Sequence, residues 1–285
     1  MRYGLPYAAS KNTIAEWVVF NLPRGNRLVD LFAGGCAVTH CAMLSGKYKY
    51  FLANDIGDAP QIFKMAIDGE FRGYSFVPDR EEFFENKDDD YVSALLYSFG
   101  NDKRAYLWGQ DIEKVKIEAS RMLSAPSQYE RRMHYKKFLK ELDKYVKNGG
   151  SIDGETRKEQ RLQGLQGLQG HERLEISKNN YFNVPLYADD VIYAGPPYKG
   201  TSDACDDGGG FDYDEFEEWL QRVEIPVYVS EYTCPKGCVE LNTVERRTTM
   251  QSGGGRKSQE KLFVQERFAD VAYKTVKFEH IGLEL

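Results

Sequence analysis

A doubly wound α/β fold, interrupted by a mainly helical insert, is what the sequence predicts. Three observations carry it. RLVDLFAGG is a short apolar strand running into glycines, and a helical pattern follows it. YKYFLANDI is a second strand ending in an acid, so the two enclose a β-α-β unit. DDVIYAGPPY then supplies an apolar run, Val191 to Ala194, of the kind that fits a strand buried on both faces. Strands alternating with helices imply a parallel sheet.

The elements follow in order. Residues 11–22 place Ile14, Trp17, Val18 and Leu22 on one helical face, and Pro23 and Gly25 end the run. The helix after the glycines carries Val38, Ala42 and Met43; another runs from about Ala59 to Glu70. Residues 75–180 differ: Glu81–Phe99 and Asp111–Val146 are long, charged and helical in period. A Leu-Gln-Gly triplet then repeats three times from Leu162, and glycine at every third position argues against a stable helix there. The α/β pattern resumes with FDYDEFEEWLQRV as helix, IPVYVSEY as buried strand and EKLFVQERF as a late strand. The expected division is therefore 1–74 with 181–285 as the α/β domain, and 75–180 as the insert.

Composition narrows the chemistry only modestly. A net charge of -6 argues against a general nucleic-acid binder, although a local basic face matters more than the total. The start lacks the features of a secretory signal, and no apolar run approaches the ~20 residues of a membrane span. With five cysteines, an odd number, a reduced cytoplasmic setting is expected and no membrane. Cys234 and Cys238 have a C-x3-C spacing without a second Cys/His pair, so no metal is expected. His40, His134, His171 and His280 are scattered and form no ligand cluster.

Two constellations carry chemistry. In LVDLFAGGC a strand, a glycine turn and a helix N-terminus bring unpaired N–H groups near a ligand, and Asp55 closes the following strand. That order suits a nucleoside-containing cofactor whose ribose hydroxyls the acid accepts; the alternative is a structural turn with a helix cap. In YAGPPY two prolines leave the carbonyls of Gly195 and Pro196 free to accept, and Tyr198 offers a flat ring. A flipped-out base with an exocyclic amine suits those groups; the alternative is a strand-ending turn with a core tyrosine. In the insert, Lys114, Lys116, Arg121, Arg131, Arg132, Lys136, Lys137 and Lys140 are interleaved with Glu113, Glu118, Glu130 and Glu141. A solvated mixed-charge helix and a phosphate-binding face both fit that pattern.

Together these residues resemble the Dam-type, alpha-group DNA adenine-N6 methyltransferases. LPYAASKNTIAEWV looks like the family's N-terminal cofactor motif, DLFAGG its strand-turn, and ANDI the acid-ended strand. SFGNDKRAYLWGQDIEKVK, the insert, GPPYKGT and VSEYTCP follow in the family's order. The resemblance implies a class I, Rossmann-like methyltransferase fold, S-adenosylmethionine as methyl donor and double-stranded DNA with a flipped adenine as partner. It is also that of a bacterial or phage-encoded protein of restriction-modification type. It implies that Tyr7 and Lys11 sit beside the methionine end of the cofactor. Asp30, Phe32, Ala33 and Gly34 would line its loop, and Asp55 would hold the ribose. At the reacting end, Gly195, Pro196, Pro197 and Tyr198 would form the catalytic loop, with Pro196 accepting from the target amine and Tyr198 stacking on adenine. Arg131, Arg132, Lys136 and Lys137 would contact DNA phosphates.

Two positions depart from the pattern. Cys36 replaces the third glycine, which the turn should tolerate. Gly195 replaces the Asp that accepts from the target amine, and losing one such transition-state hydrogen bond costs on the order of 10²–10³ in rate. Impaired turnover is expected, with Gly195→Asp restoring at least ~10²-fold. Three functions stay open: DNA adenine methylation, cofactor and DNA binding without turnover, and methylation of RNA or a protein amide.

Overall fold

The computed structural model describes residues 3–8, 10–72, 76–151, 164–165, 168, 171–199, 210–248 and 256–274. The chain forms two compact units: Met1–Gly4, Ala9–Gln61 and Gln169–Leu285 make the first, Leu5–Ala8 and Ile62–Leu168 the second.

The first unit is built on a seven-stranded sheet of order β3-β2-β1-β4-β5-β7-β6. Its strands are β1 (Arg27–Asp30), β2 (Tyr50–Asn54), β3 (Leu174–Ser177), β4 (Asp190–Ala194), β5 (Val227–Glu231), β6 (Cys238–Thr248) and β7 (Arg256–Gln265). β1 to β5 pair in parallel, and β7 and β6 close the edge antiparallel. Strand order reverses between β1 and β4. The carboxyl ends of those two strands therefore flank the crevice where open α/β sheets bind ligands. At their other ends Arg27 grips Asp190 in a two-point bridge, Nε to Oδ1 at 2.8 Å and Nη2 to Oδ2 at 2.6 Å.

Helices α1 (Ala15–Asn21), α2 (Ala37–Ser45) and α3 (Ala59–Asp68) alternate with the first strands, as the apolar periods predict. Ile14, Val18 and Leu22 are buried, and a short 3-10 turn over Lys11–Thr13 precedes α1. Helix α8 (Tyr213–Arg222) buries Phe216, Trp219 and Leu220 against Val29, Ile192, Val227 and Val229. Each such side chain contributes roughly 1.5–3 kcal/mol by leaving water.

Two strands were not expected. β3 lies within the 75–180 span assigned to the insert, yet it pairs with β2 from Phe51↔Leu174 to Asn54↔Ser177. β6 reads as charged and alternating in sequence because it is an edge strand, paired only with β7.

In the second unit each expected long helix is two. Glu81–Phe99 divides into α4 (Arg80–Asn86) and α5 (Tyr91–Tyr97), each with its own cap: Asp79 in a capping box with Glu82, and Asp90 accepting from Ser93 N at 2.9 Å. Asp111–Val146 divides into α6 (Glu113–Ser124) and α7 (Gln128–Lys147). Pro126 is the cause, because the residue before a proline avoids helical ψ, and Ala125 takes φ -59°, ψ 125°. Tyr97, Tyr106 and Trp108 pack edge to face or tilted, and His134 Nδ1 meets Glu118 Oε2 at 2.7 Å to join α7 to α6. Most of the Leu-Gln-Gly repeat lies outside the described residues.

Candidate active site

The loop after β1 is held from three sides. Leu31 N donates to Tyr193 O at 2.9 Å, Ala33 N to Asn54 O at 2.8 Å, and Gly34 N to Asp55 Oδ2 at 2.8 Å. Asp55 Oδ1 accepts from Gly57 N at 2.9 Å, so this carboxylate ties the glycine turn to the end of β2. Burial raises its pKa, against the lowering by the Gly57, Gly34 and Ile56 N–H groups. Asn54 donates to Leu31 O and Asn179 O, both at 3.0 Å, and so fixes the ends of β1 and β2 to the segment after β3.

Gly34 at φ 47° and Cys36 at φ 58° make the turn. Cys36 is fully buried and left-handed, a conformation that costs a non-glycine residue roughly 1–2 kcal/mol, so the turn accepts this substitution under strain. Gly4 packs directly on this loop: a Cβ there would meet Gly35 O at 2.2 Å. Its N–H donates to His40 Nδ1 at 2.9 Å.

Asp30 is 1% exposed; its Oδ2 accepts from Thr39 Oγ1 at 2.8 Å, while Oδ1 is buried with no hydrogen-bond partner. Desolvation pushes its pKa up to about 7, against the lowering by the Thr39 hydrogen bond. Phe32 lies within ring contact of Tyr181, Phe211 and Phe216. Buried within the same ring cluster, the Tyr181 hydroxyl also lacks a partner. Asp30 Oδ1 stands at the end of β1, where a polar ligand would satisfy it, whereas Tyr181 packs on the other sheet face against α8.

Across the switch point, Gly195, Pro196, Pro197 and Tyr198 leave the end of β4. Among the described residues no hydrogen bond engages the carbonyls of Gly195 or Pro196, whereas Pro197 O accepts from the Tyr213 hydroxyl at 3.0 Å. Glu231, at the end of β5, clamps the loop by accepting from Lys199 N at 2.6 Å and Tyr232 N at 2.7 Å. Burial raises the Glu231 pKa, and those two N–H donors oppose the rise.

Tyr198 is already engaged on every side that counts. Its ring stacks on Tyr232 with centroids 4.1 Å apart and an interplanar angle of 20°. Lys11 Nζ sits 3.6 Å from the same centroid, which two occupants can share only from opposite faces. Its hydroxyl donates to Glu260 Oε1, and Lys11 Nζ is 3.7 Å from that oxygen. Glu260, on β7, is fully buried and its Oε2 has no partner. The stacking surface expected of Tyr198 is therefore covered by Tyr232 and Lys11.

Gly195 has no positive φ, so its backbone does not demand glycine. Space does. A Cβ would lie 2.9 Å from Lys11 Cε and 2.9 Å from Tyr193 Oη, and that hydroxyl is fixed by Ser230 Oγ at 2.7 Å. A Cβ at 195 requires the end of Lys11 and the Tyr193 hydroxyl to shift, which bears against the expectation that Gly195→Asp alone restores activity.

The structure thus brings together Lys11, Asp30, Ala33, Gly34, Asp55 and the Gly195–Tyr198 loop within one unit. Tyr7 is half-buried in the Leu5–Ala8 segment of the other. Sequence reasoning missed Asn54, Thr39, Glu231, Tyr232 and Glu260. Register reveals Glu260, since Asp30↔Tyr193, Tyr193↔Tyr228 and Ser230↔Leu262 place Asp30, Tyr193, Ser230 and Glu260 on one sheet face. On α7, Arg131, Arg132, Lys136 and Lys137 are all exposed. At about 100° per residue Arg132, Lys136 and Lys140 share a strip, Lys137 flanks it, and Arg131 points away.

Among the described residues no cluster of three His, Cys, Asp or Glu side chains is arranged to hold a metal ion, and no helix is long and apolar enough to cross a membrane. Cys234 Sγ instead contacts Cys238 O at 3.2 Å. No curated protein matches the chain. A family model described as D12 class N6 adenine-specific DNA methyltransferase matches residues 7–238 of the 285, covering both the glycine loop and the Pro-Pro-Tyr loop. The chain belongs to that family of DNA methyltransferases.

Proposed function

We propose that this chain transfers a methyl group from S-adenosylmethionine to N6 of an adenine flipped out of double-stranded DNA. The observation that carries the reading is the crevice between β1 and β4, with the glycine loop on one side and Gly195–Tyr198 on the other. The bound cofactor supplies an electrophilic methyl. The chain's own groups fit it: Asp30 Oδ1 awaits a donor, and the Asp55 carboxylate, held by backbone N–H groups, is placed to accept a ribose hydroxyl. Pro196 O, unengaged, accepts from the target amine, and Tyr198 stacks on the base once Lys11 withdraws. The work of the protein is orientation, base extrusion and polarisation of the amine.

DNA is held by the second unit through the α7 strip of Arg132, Lys136 and Lys140, which supplies phosphate contacts rather than base readout. The test offers duplex DNA, RNA and unfolded protein in one pot with tritium-labelled methyl donor. Label in DNA alone supports the reading; label in RNA or protein in place of DNA defeats it. Calorimetry with S-adenosylhomocysteine checks the cofactor site separately: Asp55→Ala should weaken binding by about 1–3 kcal/mol, the range for removing a buried acceptor.

A further inference from the structure

Four buried side-chain oxygens among the described residues lack a hydrogen-bond partner: Asp30 Oδ1, Asn101 Oδ1, the Tyr181 hydroxyl and Glu260 Oε2. Asp30 lies on the cofactor side of the crevice, Tyr181 lies in the core against α8, and Asn101 lies in the other unit. Glu260 belongs to the base side. A carboxylate oxygen stripped of water and left without a donor is a standing cost, recovered only when a donor arrives.

Its position fits one donor. Glu260 Oε1 is tied to the Tyr198 hydroxyl, so the carboxylate keeps a fixed relation to the ring on which the base is to stack. Lys11 links it to the empty place at Gly195: Cε is 2.9 Å from where a Cβ would be, and Nζ is 3.7 Å from Glu260 Oε1. Adding the Cε–Nζ bond puts a ceiling of about 8 Å between that Cβ position and Oε1. An acid is thus missing at 195 and present, buried and half-engaged, on β7. We propose that Glu260 takes the place of the absent Asp, its Oε2 accepting an N–H of the target adenine amine and then the proton that methylation releases.

This rests on the methyltransferase reading. The amine nitrogen forms the new bond to the methyl carbon as the carbon–sulfur bond breaks, and that bonding pair stays on sulfur. The sulfonium becomes a neutral thioether, the nitrogen sheds one proton to Glu260, and the products are N6-methyladenine and a protonated Glu260 that later returns its proton to water. The carboxylate is a further contact of the reacting amine, beyond the Pro196 carbonyl.

The test uses the full chain and the duplex that the parent methylates. Parent, Glu260→Gln and Tyr198→Phe proteins are compared in single-turnover methylation. Separately, without methyl donor, parent and Glu260→Met proteins are titrated with that duplex carrying either adenine or purine, which lacks the amine, at the target. Glu260→Gln, whose amide cannot take a proton, should slow transfer on the order of 10²-fold. Tyr198→Phe, which removes only the tether, should slow it less than about tenfold, and Glu260→Met should lose most of the parent's preference for adenine over purine. A Glu260→Gln rate equal to the parent's, or a Tyr198→Phe loss as large as that of Glu260→Gln, overturns the proposal and leaves Glu260 as a clamp. Should the Met variant not fold, the Gln rate decides alone; should Gln not fold, Glu260→Asp replaces it and must still show the adenine preference. A parent that methylates no DNA at all sinks the methyltransferase reading itself, a distinct outcome.

Discussion

Lys11 and Tyr198 form a cation–π pair at 3.6 Å, on the ring proposed to stack on a flipped base. Such a pair is worth about 0.5–2 kcal/mol. Lys11→Ala removes the occupant of one ring face while Tyr232 keeps the other. Binding of a duplex with 2-aminopurine at the target, read by its fluorescence, should therefore tighten by about 2- to 30-fold. Unchanged or weaker base stacking would show that Lys11 does not compete with the base.

Gly195 is fitted to its surroundings rather than merely lacking an Asp. Gly195→Asp should cost about 1–3 kcal/mol of stability, the range for overpacking, and should not raise methyl transfer. Gly195→Asp with Tyr193→Phe removes the Oη contact and should regain part of the loss. Denaturant midpoints and single-turnover rates on the pair decide it. A stable single variant with a large gain in rate would restore the simpler account in which only the motif Asp is missing.

The sequence made the parallel core legible because β1, β2, β4 and β5 are short apolar runs closed by glycine, acid or proline. It concealed β6, whose charged alternation belongs to an edge, and β3, whose four residues carry little pattern. In the site, Asp55 and the Pro-Pro-Tyr loop could be read directly because each ends a strand. Glu260 could not, since a lone Glu in EKLFVQ reads as solvent-facing until strand register turns it inward beside Tyr198. The break at Ala125 was readable in principle from Pro126.

Asp30 gives the protein a pH dependence of defined sign. Its folded pKa, pushed up to about 7 by burial, lies above the ~3.9 of an unfolded Asp, so the folded state holds an extra proton between those values. Its contribution is present below about pH 4 and is lost as pH rises through about 7. Asp55 and Glu231 are raised by burial too and act in the same sense. Asp30→Asn should flatten the fall of unfolding free energy between pH 5 and 7 by up to ~1.4 kcal/mol per pH unit. Urea titrations at several pH values measure this, and identical slopes in parent and variant would refute it.

The α7 strip predicts an uneven salt response. Reversing Arg132, Lys136 and Lys140 together should lower the log–log salt slope of duplex binding by ~3, about one for each phosphate no longer neutralised. Arg131→Glu, off the strip, should change the slope by less than one. Equal effects at Arg131 and Arg132 would mean that the helix acts as a diffuse charge rather than as a face.

With Gly195 in the loop proposed to be catalytic, the chain should still methylate adenine in DNA. Nucleoside mass spectrometry of duplex DNA, incubated with the parent protein and S-adenosylmethionine at enzyme excess, tests it most directly. N6-methyldeoxyadenosine is expected in the parent reaction, cut on the order of 10²-fold by Glu260→Gln. Binding of S-adenosylhomocysteine and DNA with no N6-methyldeoxyadenosine formed would contradict it, and would describe a protein that holds both ligands without turning them over.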